Sequence, residues 1–129
     1  MATFSKRSKI NLSQCHEDLQ VLFTEVIKEY DCAVICGHRG EEEQNNAFAK
    51  GFSKLKYPKS NHNKIPSLAA DVVPYPIDWA NKKRFKELGD KVKQIAGRLL
   101  EEGKITHRID WGGDWKKFVD LPHYEIKLK

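Results

Sequence analysis

Four residues in this sequence have side chains that could bind a metal ion and move a proton: His62, Asp71, Asp120 and His123. Two neutral imidazoles and a carboxylate form a usual ligand set of hydrolytic zinc sites, which leave one position for water. His62, Asp71 and His123 supply that set, and Asp120 precedes His123 by three residues. A carboxylate so placed can take a proton from the attacking water. These residues could form a zinc-dependent hydrolytic centre built from two distant segments, although a lone histidine such as His62 is more often a surface or hydrogen-bonded residue than a ligand.

Asp71 carries the strongest signal of the four, because it interrupts the apolar run LAADVVP, which predicts a buried strand. A buried carboxylate without a partner costs several kcal/mol, so such a residue marks a bound ion or a charge pair. The alternative to metal binding is a salt bridge from Asp71 to Arg39 or Arg108. The HExxH motif of helical zinc peptidases is absent from the sequence, so the ligands must come from separate segments.

Length and charge restrict the class of protein. A chain of 129 residues is expected to form one domain, residues 1–129, with a core and one cleft. No apolar run approaches the roughly 20 residues of a membrane span, and the basic N-terminus lacks the apolar centre of a signal peptide. The net charge of +5 indicates an anionic partner. Nucleic acid and a bacterial cell wall both fit, although no basic helix or aromatic–basic RNA motif supports nucleic acid.

Hydrophobic periodicity predicts the elements that position the candidate residues. Apolar residues in SQCHEDLQVLFTEVIKEY recur at helical spacing, with Ser13 as the expected N-cap. GEEEQNNAFAKG predicts a short helix, and a long helix is expected after Asp78 as N-cap, weakened at Gly89 and Gly97. Strands are predicted at CAVICG, LAADVVP, THRIDWGG and HYEIKL. About four strands and three helices in this order predict an α+β fold.

The three cysteines, Cys15, Cys32 and Cys36, are too few for a disulfide framework. Cys32 and Cys36 share one face of the predicted strand CAVIC, because side chains alternate along a strand. A zinc site with the nearby His38 would need a CxxC spacing that the sequence lacks. We predict that all three are buried core thiols.

The candidate motifs resemble the metallopeptidases related to D-alanyl-D-alanine carboxypeptidases, and most closely their small phage endolysin branch, the L-alanyl-D-glutamate peptidases. Ser60–His62 with Ala69–Asp71 matches the Ser-x-His and Ala-x-Asp element of that family. Asp120–His123 matches its late acid-x-x-His element, and Arg39 and Gln44 match its arginine–glutamine element. The first element is two residues longer here and lacks the usual glycine, and the late acid is aspartate where several relatives have glutamate.

This resemblance implies a fold and a set of residue roles. The fold would be the D-alanyl-D-alanine carboxypeptidase and Hedgehog type, with a small antiparallel sheet and about three helices. Asp120 would be the general base, with Glu125 and Asp114 as alternatives. The implied ligands of Zn2+ are His62, Asp71 and His123.

Three further residues would serve the substrate in this family. Arg39 would stabilise the oxyanion of the reaction or bind a substrate carboxylate, with Gln44 beside it. Ser60 would hydrogen-bond the substrate backbone or simply hold its own turn. The acidic triplet at 41–43 could attract calcium, although a helix N-terminus favours acidic residues without any ion.

The implied function is a zinc endopeptidase that cuts the stem peptide of bacterial peptidoglycan between L-alanine and D-glutamate, as a phage endolysin. A D,D-carboxypeptidase or dipeptidase with the same site is one alternative, and a catalytically inactive, zinc-stabilised wall-binding domain is another. We expect a monomer without a separate wall-binding domain, without membrane insertion and without a nucleic-acid partner. It would be made in the host cytoplasm without a signal peptide and reach the wall by holin-dependent release.

Overall fold

The computed structural model describes residues 2–128, and this part of the chain forms four α-helices and one four-stranded antiparallel sheet. The elements are α1 (Lys6–Ser13), α2 (Glu17–Val26), β1 (Cys32–Cys36), α3 (Glu41–Ala49), β2 (Ala69–Pro74), α4 (Lys82–Glu101), β3 (Arg108–Trp111) and β4 (His123–Lys127), with 3-10 turns at Asn61–Asn63 and Gly112–Asp114. The predicted α+β class is confirmed. Across residues 2–128, no helix is long and apolar enough to cross a membrane.

The sheet has the strand order β1-β2-β4-β3, so β2 and β4 form its centre. In the antiparallel register Asp71 of β2 faces His123 of β4 on one side and Cys36 of β1 on the other. Residues directly opposite each other on paired strands project from the same face of a sheet. The sheet therefore brings a carboxylate, an imidazole and a thiol into one row.

The opposite face of the sheet carries the core. Tyr124 of β4 is fully buried there and packs edge-on against Phe23 of α2, with 5.4 Å between the ring centroids. Full burial of one such apolar side chain contributes roughly 1.5–3 kcal/mol to the free energy of folding. The packing of α2 and α4 on this face therefore stabilises the sheet. The buried side chains of this layer are Leu19, Leu22, Val26, Val72, Leu88, Val92, Ile95, Leu99 and Ile126.

The first helical region differs from the prediction. Ser13, the predicted N-cap, is the last residue of α1, and α2 begins after His16. The ring atom Nδ1 of His16 accepts a hydrogen bond from the amide of Asp18 at 3.0 Å and so caps α2. Periodicity did not reveal α1 because its buried residues are Ser8 and Leu12, which make no apolar stripe.

The long helix α4 begins later than predicted. Its N-cap is Asn81, whose side-chain oxygen accepts from the amide of Arg84 at 3.3 Å. Asp78 instead accepts from the amide of Ala80 at 3.1 Å and holds the preceding turn.

The two glycines of α4 do not interrupt it. Gly89 faces the ring of Trp111, and a Cβ added there would lie 2.6 Å from two ring carbons. Gly89 therefore permits close packing of α4 on β3, which offsets its unfavourable helix propensity of about 1 kcal/mol. Gly97 has open space around its Cβ position.

Candidate metal centre and active-site cleft

A cleft of about 890 Å³ lies over the sheet face that carries Asp71 and His123. Two loops provide most of its lining, one at residues 52–55 and 59–62 and the other at 118–123. Trp79 and Trp115 add aromatic surface, whereas Trp111 is buried behind the sheet. The cleft is thus apolar at its rim and carries ionisable groups on its floor.

His62 reaches the floor of the cleft from the first 3-10 turn. Ser60 caps this turn, because its Oγ accepts from the amide of His62 at 3.2 Å. The ring atom Nδ1 of His62 lies 2.8 Å from the carbonyl oxygen of Gly37, which can only accept a hydrogen bond. Nδ1 therefore carries the proton of the neutral ring, and Nε2 presents its lone pair. Nε2 lies 3.3 Å from Oδ1 of Asp71.

His123 reaches the same oxygen from β4. Its Nε2 lies 2.6 Å from Oε1 of Glu125, a carboxylate that accepts the ring N–H. The opposite ring atom, Nδ1, lies 3.4 Å from Oδ1 of Asp71 and 3.9 Å from Oδ2 of Asp120. Both imidazoles thus turn a lone pair towards Oδ1 of Asp71.

These separations fit a metal ion better than hydrogen bonds. Nε2 of His62 and Oδ1 of Asp71 are buried and have no hydrogen-bond partner among residues 2–128. Buried polar atoms left unpaired are costly and need an explanation. Ligand atoms of a tetrahedral site with bonds of about 2.0 Å lie roughly 3.3 Å apart. Metal-binding histidines also donate their second N–H to a carbonyl or carboxylate, as His62 and His123 do here.

Without a metal, mutual charge keeps Asp71 deprotonated and favours the protonated forms of His62 and His123. Burial disfavours the charged form of Asp71, but His123 and His62 outweigh it and hold the pKa of Asp71 well below its usual range. Burial also opposes charge on His62, yet Asp71 and Cys36 raise the pKa of His62 to about 10. The pKa of His123 is raised for the same reason, against its burial, by Asp71 and Glu125. A bound cation would take the place of these protons.

Cys36 also belongs to this cluster, which the sequence did not predict. Cys15 and Cys32 are buried as expected, but Cys36 is partly exposed. A bulge between Val34 and Cys36 shifts the register by one residue and turns the thiol from the core face to the cleft face. The ligand atoms of Cys36, His62 and Asp71 lie within 4.8 Å of one another, so they form a possible metal-binding group.

The thiol of Cys36 lies near Nδ1 of His62, a ring atom that already donates a hydrogen bond. Sγ of Cys36 lies 3.8 Å from Nδ1 of His62, the atom that donates to Gly37. His123 instead faces Asp71 with a free lone pair. This geometry favours His123 over Cys36 as the partner of His62 and Asp71.

Asp120 lies beside this group on a firmly held loop. Its amide donates to the carbonyl of Gly112 at 3.0 Å, and its carbonyl accepts from the amide of His123 at 3.1 Å. Burial and the neighbouring charge of Asp71 raise the pKa of Asp120. A carboxylate whose pKa is raised towards neutrality is suited to general base and acid catalysis.

The two alternative bases have other partners. Asp114 forms an ion pair with Lys93 at 3.1 Å, and its side chain is half exposed outside the cleft. Burial raises the pKa of Glu125, but the hydrogen bond from His123 outweighs it, so the pKa is lowered and Glu125 is a weaker proton acceptor. Of the three acids, Asp120 has the environment of a base.

Arg39 lines the cleft and contacts the other oxygen of Asp71. Its Nη2 lies 3.5 Å from Oδ2 of Asp71, and its Nη1 donates to Oε1 of Gln44 at 3.0 Å. The salt bridge weighed as an alternative to metal binding is therefore present beside the histidines, because each carboxylate oxygen has its own neighbours. Arg108 lies at the exposed start of β3.

Gln44 does not line the cleft, which differs from its predicted contact with the substrate. It is fully buried, and its Nε2 donates to Oγ of Ser53 at 2.9 Å and to the carbonyl of Leu55 at 2.6 Å. Its Oε1 accepts from Arg39 and from Asn63. Gln44 therefore holds Arg39 from behind and anchors the loop that follows α3.

The sequence indicated Glu125 as an alternative base, but its contact with His123 was not predicted. The spacing of the two residues could have indicated this contact, because residues two apart on a strand share a face. The contact of the Trp115 ring with the His123 ring, tilted by 48° with 5.1 Å between the centroids, left no such pattern in the sequence, since it depends on the path of a loop.

A solved structure and a protein family both match this chain. The structure is similar to the crystal structure of Serratia marcescens L-Ala D-Glu endopeptidase ChiX, with a TM-score of 0.78 and 24% sequence identity. The match covers 97% of this chain and 90% of that chain, and it confirms the predicted fold type. Residues 1–128 match the family described as phage L-alanyl-D-glutamate peptidase. The match extends over nearly the whole chain, and this protein therefore belongs to the phage L-alanyl-D-glutamate peptidase family.

Proposed function

We propose that this protein is a zinc-dependent endopeptidase that hydrolyses the bond between L-alanine and D-glutamate in the stem peptide of bacterial peptidoglycan. One observation carries the metal assignment: the lone pairs of His62 and His123 converge on one buried, unpaired oxygen of Asp71. Membership of the peptidase family supports the reaction and the bond. Zn2+ is the proposed ion, held by His62, Asp71 and His123.

The residues around this site have separate tasks in the proposed reaction. A bound zinc ion supplies a Lewis acid that polarises the scissile carbonyl and acidifies water. Asp120 accepts the proton of the attacking water and returns it to the leaving amine, a role that suits its raised pKa. Arg39 donates to the developing oxyanion or to a substrate carboxylate. Ser60 lines the cleft and can donate its hydroxyl proton to the substrate backbone.

The positive charge beside the cleft supports an anionic substrate. Residues 44–70 contain five lysines and no acidic residue, which leaves 18 basic against 18 acidic residues in the rest of the sequence. We call residues 50–64, which contain these lysines, the basic loop. Lys54 and Lys59 line the cleft. Stem peptides carry free carboxylates, so the net charge of the protein is concentrated in a loop that partly lines the cleft where such a substrate would bind.

The deciding experiment is mass spectrometry of purified peptidoglycan after digestion by the zinc-loaded protein, with a chelated sample beside it. Fragments with a new D-glutamyl amino terminus, absent with chelator, are the expected result. Released D-alanine would assign the site to a carboxypeptidase instead. An unchanged digest with zinc bound would favour an inactive wall-binding domain.

The biological setting follows from the family. A phage peptidase of this specificity would serve host lysis, made in the host cytoplasm and reaching the wall after holin-dependent release. A monomer is sufficient for the proposed chemistry, because all the proposed ligands and the base come from one chain.

A further inference from the structure

We infer that Glu125 is a positioning residue for the metal centre, and that it acts by holding the ring of His123. This inference rests on the proposed function, because it assumes that His123 is a metal ligand. Glu125 and His123 lie two residues apart on β4, so both project from the cleft face of the sheet. The contact between them joins Oε1 of Glu125 to Nε2 of His123 at 2.6 Å.

This contact decides which ring atom faces the metal site. A carboxylate is a pure acceptor, so the hydrogen bond keeps the proton of a neutral His123 ring on Nε2. Nδ1 is then the lone-pair atom, and it is the atom that lies 3.4 Å from Oδ1 of Asp71. Rotation of the ring about its bond to the chain would break the contact with Glu125. Glu125 therefore fixes both the tautomer and the orientation of the proposed ligand.

Asn61 lies beside this arrangement. Its side chain helps to lower the pKa of Glu125, and it is the residue immediately before His62 in the first 3-10 turn. Glu125 thus lies between the strand that carries His123 and the turn that carries His62. Removal of Asn61 should have a smaller effect than removal of Glu125, since the contact between Glu125 and His123 would remain.

The test is a zinc titration of the metal-free full chain against a chromophoric chelator, which measures metal affinity without any substrate. Outer carboxylates of metal sites typically contribute about 10–100-fold in affinity. We expect a loss in that range for Glu125→Ala and a smaller loss for Asn61→Ala. Glu125→Gln keeps an acceptor oxygen and should recover most of the affinity.

Two further variants make the result interpretable. Asp110 faces Glu125 across β3 and β4, so Asp110→Ala removes the same charge from the same face of the sheet and should leave zinc affinity nearly unchanged. His123→Ala removes the proposed ligand itself and should lose more affinity than any other variant. Thermal melts of the metal-free proteins check that each variant is folded.

A spectroscopic signature accompanies the affinities. In the zinc-loaded wild type, the Nε2 proton of His123 should give an exchange-protected imidazole signal in proton NMR. The signal should persist in Glu125→Gln and vanish in Glu125→Ala, a difference that a purely structural effect would not produce.

The outcomes separate this inference from the proposed function. Wild-type zinc affinity in Glu125→Ala, with a large loss in His123→Ala, would overturn the role of Glu125 and leave the metal centre standing. Equal losses in Glu125→Ala and Asp110→Ala would also overturn it, because a general charge effect would then suffice. Unchanged affinity in His123→Ala would overturn the proposed metal centre and this inference with it.

Discussion

Nε2 of His62 lies 3.3 Å from Oδ1 of Asp71, and neither atom has a hydrogen-bond partner within residues 2–128. In the metal-free chain the attraction between these residues raises the pKa of His62 to about 10. His62 therefore carries a proton at neutral pH that a metal ion must displace. Protons would therefore compete with zinc for His62.

Zinc affinity should accordingly rise with pH. Each proton displaced on binding gives about a tenfold gain in apparent affinity per pH unit while His62 remains protonated, that is, below its raised pKa. Calorimetric titrations at pH 6, 7 and 8, in buffers with different ionisation enthalpies, would count the protons released. A binding heat that does not depend on the buffer would contradict this prediction.

Asp120→Asn should lower kcat by about 10²–10⁴-fold, because the amide cannot accept the proton of the attacking water. Zinc affinity should change little, since Asp120 is not a proposed ligand. Asp114→Asn is the matched control, because Asp114 pairs with Lys93 outside the cleft and should retain full activity. Steady-state kinetics with wall fragments would measure both. Wild-type kcat in Asp120→Asn would exclude Asp120 as the base.

Gly112→Ala should lower activity by moving Asp120, the proposed base. A Cβ at Gly112 would overlap the carbonyl oxygen of Asp120, so the loop that carries Asp120 must shift. Gly97→Ala is the matched control on α4, where the added methyl group meets open space. It should raise stability by about 0.5–1 kcal/mol and leave activity unchanged. Normal activity in Gly112→Ala would show that the position of Asp120 tolerates displacement.

Asp18→Ala should destabilise the fold by roughly 1–3 kcal/mol, because it removes the buried acceptor of several partly exposed donors. Oδ2 of Asp18 accepts from the amides of Thr106 and His107 at 3.0 and 3.1 Å, and lies 2.8 Å from Nδ1 of His107. Asp90→Ala is the control, since its exposed pair with Lys86 contributes little. Urea denaturation would compare the two. Equal midpoints would contradict the prediction.

The stability contributed by Asp18 should also depend on pH. Burial disfavours its charged form, but the hydrogen bonds from His107 and Thr106 outweigh burial and lower its pKa. This contribution is therefore complete above the pKa of Asp18 in the unfolded chain and is lost as pH falls through the lower pKa of the folded state. Denaturation of wild type and Asp18→Asn should converge in strong acid.

Charge reversal in the basic loop should weaken binding to the wall without impairing the chemistry. Lys50, Lys56 and Lys64 do not line the cleft, so their replacement by glutamate should leave hydrolysis of a short soluble stem peptide unchanged. Pull-down by insoluble peptidoglycan should weaken, and its dependence on salt should flatten. Reversal of Lys6, Lys9 and Lys104, outside this loop, is the control. Equal effects of the two sets would assign the binding to net charge alone.

The sequence revealed the fold and the types of candidate ligands because those features are local. Asp71 stands out within an apolar strand, and the apolar pattern of α4 is plain despite two glycines. The features that the sequence did not reveal depend on contacts between distant segments of the chain. The bulge that turns Cys36 to the cleft depends on the partner strand, and the burial of Gln44 depends on the loop packed over it. The start of α2 was misjudged because His16, an uncommon capping residue, takes the position expected of Ser13.

The register of β2 and β4 links folding to catalysis. Asp71 faces His123, and Ala70 faces Tyr124, a fully buried aromatic residue of the core. A slip of one residue would expose Tyr124 in the cleft and bury the imidazole among apolar side chains. Misaligned molecules would lose the proposed metal centre and the core together, so a partly misfolded population should contain no weakly active species. Specific activity per zinc bound would then be constant throughout refolding. Total activity would therefore report the fraction of molecules in which β2 and β4 are correctly aligned.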